Sequence, residues 1–261
     1  MSKPFKAGVV QFDVECGRIE ANLAKLSGYL EKLASERVSL AVLPEMFSCS
    51  FDNENLKAHS RSTPDIIERL STLALDYGMA IAGTLPEQEE GRIFNTMVFI
   101  DTDGKLKGKY RKLHLFRLTG EHLYYTAGDG VVIVDSTLGR MGLMTCYDLR
   151  FPEVARSLFL KGAQTIVISA QWPEPRKEHW ETLIRARAIE NQLFMVCSNR
   201  TGTEAGLTFP GMSMIADPMG KILVHAGSHG ASVFAEIDPE AVKTMRTLIP
   251  CMTDRRPEVY G

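Results

Sequence analysis

Short apolar runs alternate with amphipathic stretches along most of this chain. Lys6 to Phe12 (KAGVVQF) and Val38 to Leu43 (VSLAVL) are apolar at consecutive positions, as strands buried on both faces are. Between them Ile19, Leu23, Leu26, Leu30 and Leu33 recur at steps of three and four, which predicts an amphipathic helix. A second helix is predicted from Pro64 to Tyr77, ended by Gly78 as C-cap, and Met79 to Leu85 reads as a third buried strand.

The middle is richer in strands. Phe94 to Ile100 and Lys105 to Tyr110 flank Asp101-Thr102-Asp103-Gly104, a hairpin turn. Arg111 to Gly130 has no period and is long enough to build a site rather than join two elements. Val131 to Val134 and Gly139 to Thr145 are the next strands, followed by a helix from Phe151 to Leu160 and a strand from Thr165 to Ser169. After Trp172-Pro173-Glu174-Pro175, the residues Trp180, Leu183, Ile184 and Ala188 make one helical face. Leu193 to Cys197, Met212 to Ala216, Lys221 to His225 and Ser232 to Ile237 are the remaining strands. Asp238-Pro239-Glu240 starts a last short helix with an N-cap, Pro at N1 and early acidic charge.

Strands apolar on both faces, alternating with helices, imply an α/β protein whose sheets are covered by helices. Hairpins make the sheets mixed, and about ten strands would overload one open sheet. Two packed mixed sheets with helices outside follow, an αββα sandwich. No repeat or Gly/Ser linker divides residues 1–261, so one domain is expected, with the polar tail Arg255 to Tyr260 as a short C-terminal arm.

Composition narrows the function by exclusion. The chain is 44% hydrophobic and 24% charged, with net charge −2 from 30 basic and 32 acidic residues spread without blocks. Binding of nucleic acid through a basic face has no support. No apolar run approaches the ~20 residues a membrane span needs, and the N-terminal MSKPFK has no signal-peptide character. The five cysteines (Cys16, Cys49, Cys146, Cys197, Cys251) are odd in number and never in a C-x-x-C pair. That suits a reducing cytoplasm and argues against a disulfide framework or a zinc site. Walker, G-x-G-x-x-G and G-x-S-x-G patterns are absent.

Three reactive residues share one context. Glu45 follows VSLAVLP, Lys112 follows KLKGKYR, and Cys146 follows GRMGLMT, each at or just past the end of a predicted strand, where α/β sheets gather ligand-handling side chains. Together they would form a working set. Glu45 can take a thiol proton and pass it to a leaving amine. Lys112 would favour thiolate at Cys146 and stabilise charge developing on a carbonyl oxygen, with the Tyr147 backbone N–H as a second oxyanion donor. Taken singly, Glu45 is most often a solvated loop carboxylate, Lys112 one of several surface basics beside Lys109 and Arg111, and Cys146 a small buried hydrophobe, as most free cysteines are. His114, two residues from Lys112, invites a Cys–His alternative, set against a structural hydrogen-bonding histidine.

The segments LPEMF around Glu45, KYRKLHLF around Lys112 and MTCYDLRFPE around Cys146 resemble the nitrilase superfamily of carbon–nitrogen hydrolases. GEHLYYTAGD, RARAIENQ and GMSMIADPMGKIL extend the resemblance over nearly the whole chain. It implies the superfamily's αββα fold, a Glu45–Lys112–Cys146 triad, and Glu121 as a second glutamate near the lysine. It further implies a covalent thioester formed on an amide, nitrile or carbamoyl carbon, no cofactor or metal, and a homodimer.

CYDLRFPE resembles the amidase branch of that superfamily, and SAQWPEPRKEHWETLIRARAIENQ with the RRPEVY tail is similar to ω-amidases. The resemblance implies hydrolysis of the terminal amide of 2-oxoglutaramate and 2-oxosuccinamate. Such substrates carry a carboxylate, for which Arg150 is the first candidate cation and Arg176 the second. A structural ion pair is an equal alternative for either, and Trp172 is either a pocket wall or a core residue. Rival readings are the same chemistry on deaminated glutathione or an N-carbamoyl amino acid, and an idle binding module on the same fold.

Overall fold

In the computed structural model, which describes residues 3–260, the apolar runs assemble into two six-stranded sheets. The first sheet contains β1 (Phe5–Gln11), β2 (Leu40–Val42), β3 (Ala80–Glu89), β4 (Arg92–Ile100), β5 (Leu106–Arg111) and β14 (Ala231–Ile237). Its order is β14-β1-β2-β3-β4-β5, with β1, β2 and β3 parallel and the others antiparallel. The second sheet contains β6 (Ile133–Ser136), β7 (Gly139–Thr145), β8 (Thr165–Ala170), β9 (Phe194–Asn199), β12 (Met214–Ala216) and β13 (Ile222–His225). Its order, β13-β12-β9-β8-β7-β6, repeats the pattern: β7, β8 and β9 are parallel and the outer strands antiparallel.

Alternation along the strands explains the layering. One face of each sheet, including Val9, Val42, Ala82 and Met97 from the first and Leu143, Val167 and Val196 from the second, meets in a shared central core. The opposite face of the first sheet (Val10, Ala41, Ile81, Val98) packs on α1 (Ile19–Ser35) and α2 (Leu56–Tyr77) through Leu26, Leu30, Leu33, Ile66 and Leu70. The opposite face of the second (Met144, Ile166, Ile168, Met195) packs on α3 (Pro152–Leu160) and α4 (Lys177–Asn191) through Leu158, Phe159, Trp180 and Ile184. Strands enclosed between a sheet and a helix layer must be apolar at successive positions, which is the pattern the sequence shows. The expected αββα sandwich is the observed fold. Among the described residues no helix is long and apolar enough to cross a membrane.

Two expectations need correction. The second helix starts at Leu56 and carries Pro64 inside it, whereas proline's preference for first turns places the start at Pro64. Tertiary packing keeps the earlier turns helical: Leu56, His59, Ser60 and Thr63 are buried, and Thr63 donates its hydroxyl to Pro86 O. A hairpin of β10 (Thr201–Glu204) and β11 (Leu207–Pro210) was also unforeseen. Its strands are short and mostly polar, so periodicity does not reveal them. At the C-terminus, α5 (Pro239–Leu248) has the expected cap, Asp238 Oδ1 accepting from Glu240 N at 3.0 Å. The tail beyond it forms two short turns, α6 (Cys251–Asp254) and α7 (Pro257–Tyr260).

Candidate active site

The ends of strands from both sheets converge on one cavity. Glu45 lies in the turn that follows β2, and its backbone N–H donates to Ala170 O, at the end of β8, at 3.3 Å. That bond ties the first sheet to the second. Lys112 follows β5 directly, and its N–H donates to Asn95 O in β4 at 2.9 Å. Glu121 sits in a single 3-10 turn, Glu121–Leu123, where its Oε2 accepts from Phe116 N at 2.7 Å. Cys146 follows β7 and opens the 3-10 turn Cys146–Arg150.

Lys112 Nζ lies 2.8 Å from Glu45 Oε1, and 2.9 and 2.8 Å from the two oxygens of Glu121. Glu45 is 1% exposed, Lys112 2% and Glu121 3%, so this cluster is sealed and its charges are screened very little. Burial alone would lower the Lys112 pKa. The negative charges of Glu121 and Glu45 overcome it and raise the pKa well above its ordinary value, so the ammonium is retained. Burial raises the Glu45 pKa against the pull of Lys112. A carboxylate poised this way is a better base than a solvated one.

At Cys146 the expected pull of Lys112 toward thiolate is present but outweighed. Burial and the charge of Glu45 together push its pKa well above the usual value, and Lys112 opposes them without winning. The direction of that shift favours a resting thiol, which faces the same cavity as Glu45. Burying a second anion beside Glu45 costs more than the lysine returns. A general base is needed to activate such a thiol, and Glu45 lines the same cavity.

Further residues brace this set. Asn95 Nδ2 donates to Glu45 Oε1 at 2.8 Å and to Glu121 Oε1 at 3.3 Å. Gln171 donates its backbone N–H to Glu45 Oε2 and its side-chain amide to Glu45 O, both at 2.9 Å. Gln171 Oε1 in turn accepts from Arg200 Nη1 at 3.1 Å. Arg200 is buried and also bonds Glu204 Oε2 (2.7 Å), Asp13 Oδ1 (2.9 Å) and Val14 O (2.7 Å). None of these was a candidate from the sequence. The available signal was a polar residue inside or ending an apolar run, as in FNTMVF, VISAQ and MVCSNR, where an unpaired polar group would be costly.

The cavity holds about 190 Å³ and is lined by Cys146, Glu45, Lys112 and Glu121 together with Phe51, Phe116 and Phe209. Glu204, Ala205 and Leu207 bring the unforeseen hairpin into the same wall. A smaller hollow of about 30 Å³ adjoins the sulfur and is lined by Arg150, Trp172 and Arg176. The Arg150 guanidinium lies 4.6 Å from the Trp172 ring centre, and the Trp172 indole N–H donates to Arg176 O at 2.7 Å. Trp172 is both a wall of this hollow and a buried core residue. Among the described residues neither arginine has a carboxylate within 4.0 Å; the ion pairs there involve other groups. Arg150 Nη1 instead lies 3.3 Å from His179 Nδ1. Burial, with the Arg176 charge adding to it, lowers the Arg150 pKa.

His114 belongs elsewhere. Its Nδ1 lies 2.9 Å from Asp148 Oδ1, and its ring stacks on Phe151 at 3.6 Å and 9°. It lines a separate hollow with Leu118, Tyr147 and Phe151. The hydrogen-bonding reading of this histidine is the one the geometry supports.

A sealed carboxylate–ammonium pair against a buried thiol, at strand ends of an αββα sandwich, defines a class of hydrolase that works through cysteine. The chain belongs to the carbon–nitrogen hydrolase family, whose sequence model matches residues 6–247. It is 37% identical over 258 residues to a 2-oxoglutaramate amidase of Bacillus subtilis (strain 168), covering 96% of this chain and 97% of that one. It is 30% identical to omega-amidase NIT3 of Saccharomyces cerevisiae, covering 100% and 96%. The crystal structure of a carbon–nitrogen hydrolase from Helicobacter pylori superposes with a TM-score of 0.94 at 28% identity, over 99% and 97% of the two chains.

Proposed function

We propose that this protein is an ω-amidase, hydrolysing the terminal amide of small 2-oxo dicarboxylic acid ω-amides such as 2-oxoglutaramate and 2-oxosuccinamate. The observation that carries this reading is the pairing of the Glu45–Lys112–Cys146 cluster with two arginines lacking carboxylate partners in the adjoining hollow. An amide carbon at the sulfur and a carboxylate at Arg150 or Arg176 would satisfy both halves at once. The names carried by the Bacillus and yeast relatives agree with it.

In this reading Glu45 takes the Cys146 proton as the sulfur attacks the amide carbon. The oxyanion that forms is held by Lys112 and the Tyr147 backbone N–H. As the C–N bond breaks, Glu45 returns the proton to nitrogen and ammonia leaves. Water, deprotonated by Glu45, then attacks the thioester; the C–S bond breaks, the sulfur regains a proton and the acid is released. Glu121 keeps Lys112 charged and fixed. We read residues 1–261 as one catalytic domain, working as a cytoplasmic homodimer on a small-molecule substrate, without nucleic acid, membrane, metal or cofactor.

Ammonia release measured across 2-oxoglutaramate, 2-oxosuccinamate, deaminated glutathione and an N-carbamoyl amino acid tests the assignment. The expected result is preference for the first two, with an acyl adduct on Cys146 in the intact mass. Faster turnover of deaminated glutathione or a carbamoyl compound would replace the substrate. No turnover of any of them, and no adduct, would favour an idle binding module.

A further inference from the structure

Asp148, the third residue of the CYD motif, has no part in the chemistry above, yet it is fully buried. Its carboxylate is crowded with donors. Oδ2 accepts from Tyr110 Oη at 2.6 Å and from Thr145 N at 3.1 Å. Oδ1 accepts from His114 N at 3.0 Å and lies 2.9 Å from His114 Nδ1. The sequence positions of these donors are informative. Tyr110 and His114 stand two residues before and two after Lys112, and Thr145 immediately precedes Cys146. One buried carboxylate thus fastens the segment carrying the ammonium to the turn carrying the sulfur.

That turn needs fastening. Cys146 has φ of +43°, a left-handed conformation that costs a non-glycine residue on the order of 1–3 kcal/mol and persists only where its surroundings over-determine it. The bond from Thr145 N fixes the backbone just before the strained residue, and Asp148 itself lies two residues beyond it. Burial and the neighbouring Asp148 charge raise the Tyr110 pKa, so its hydroxyl stays a donor. An asparagine of the same shape could not replace Asp148. In either orientation its amide N–H would face a backbone N–H, that of His114 on one side or that of Thr145 on the other, and neither can become an acceptor.

We propose that Asp148 is a positioning residue, which holds the Cys146 sulfur in register with Lys112 and Glu45. The proposal rests on Cys146 being the nucleophile. A displacement of about 1 Å at a reacting atom is enough to cost ~10²-fold in rate, so a clamp between the two segments acts on turnover more than on substrate affinity.

The test measures kcat, KM, the iodoacetamide alkylation rate of Cys146 and the denaturation midpoint for Asp148→Asn and Tyr110→Phe. Expected are a fall in kcat of at least ~10²-fold for Asp148→Asn and at least threefold for Tyr110→Phe, with KM within about threefold in both. Alkylation slows in parallel. A purely structural role would lower the denaturation midpoint while leaving kcat per folded molecule and alkylation untouched. If Asp148→Asn fails to fold, Tyr110→Phe, which deletes one hydroxyl, decides. Losses under threefold in every folded variant overturn the inference. Cys146→Ala, run alongside, separates the two claims. Activity surviving there removes the nucleophile assignment, whereas an inactive Cys146→Ala beside unimpaired clamp variants removes only the clamp.

Discussion

Lys112 Nζ sits between the two oxygens of Glu121, at 2.9 and 2.8 Å, while a third carboxylate oxygen, from Glu45, approaches at 2.8 Å. One buried cation is therefore shared by two buried anions. Lys112→Met would leave both carboxylates without compensation, and breaking a buried pair costs roughly 3–5 kcal/mol. The expected outcome is a loss of that size in the unfolding free energy together with loss of activity. Adding Glu121→Gln should restore part of the stability and none of the turnover. Chemical denaturation and ammonia release on the single and double variants check both halves.

The pH profile follows from the same cluster. Glu45 can accept the thiol proton only when ionised, and burial raises its pKa above the ordinary 4.5. The acid limb of kcat/KM should therefore lie above 4.5. Lys112 has its pKa raised well above 10.5. Its ion pairs contribute stability that is fully present below that pH and lost only as pH rises through the still higher folded value. No alkaline loss from Lys112 is expected below pH 10.5. An acid limb at or under 4.5 would show that another group is the base.

If Arg150 or Arg176 receives the substrate carboxylate, its removal should act on KM. A hydrogen bond to a charged group is worth about 1.5–3 kcal/mol, or roughly 10–150-fold. Arg150→Met and Arg176→Met are each assayed with 2-oxoglutaramate and with a neutral amide of similar length. The residue that binds the carboxylate should raise KM for the first by that factor and leave the second unchanged. Arg150→Lys should not rescue Arg150, because a compact ammonium cannot reproduce a guanidinium stacked on Trp172 at 4.6 Å. Equal effects on both substrates would point to a structural role.

How legible was this site beforehand? The helices and strands that pack the three cores follow directly from apolar period, and so do the strand ends at Lys112 and Cys146. Glu45, Lys112 and Cys146 stood out because a motif surrounds each. Gln171 and Asn95 did not, because their roles lie in bonds across the fold: Gln171 to a residue 126 positions away and Asn95 to one 50 away. Spacing along the chain carries no trace of such contacts. The weight of burial on the Cys146 thiol is hidden for a related reason, since it is set by the packing of both sheets and not by the CYD neighbourhood. The β10–β11 hairpin escaped because Thr201-Gly202-Thr203-Glu204 lacks an apolar alternation, although Ala205-Gly206 at its tip is a turn signal.

That hairpin leads to the last prediction. Arg200 is 1% exposed and bonds four pieces of the chain: Asp13 beyond β1, Ser50 beyond the Glu45 turn, Gln171 beyond β8, and Glu204 in the hairpin. Arg200→Met keeps most of the apolar stem and removes all of these bonds. Glu204 and Gln171 Oε1 would lose a buried partner, so stability should fall by about 3 kcal/mol, toward the lower end for a broken buried pair because Asp13 is half-exposed and can rehydrate. Activity should fall as well, since Gln171 holds Glu45 and the hairpin supplies Phe209 to the cavity wall. The two effects separate by temperature. Assayed well below its melting midpoint, folded Arg200→Met should still show reduced kcat from a loosened Glu45 and raised KM from a displaced hairpin. Wild-type kinetics under those conditions would confine Arg200 to stability alone.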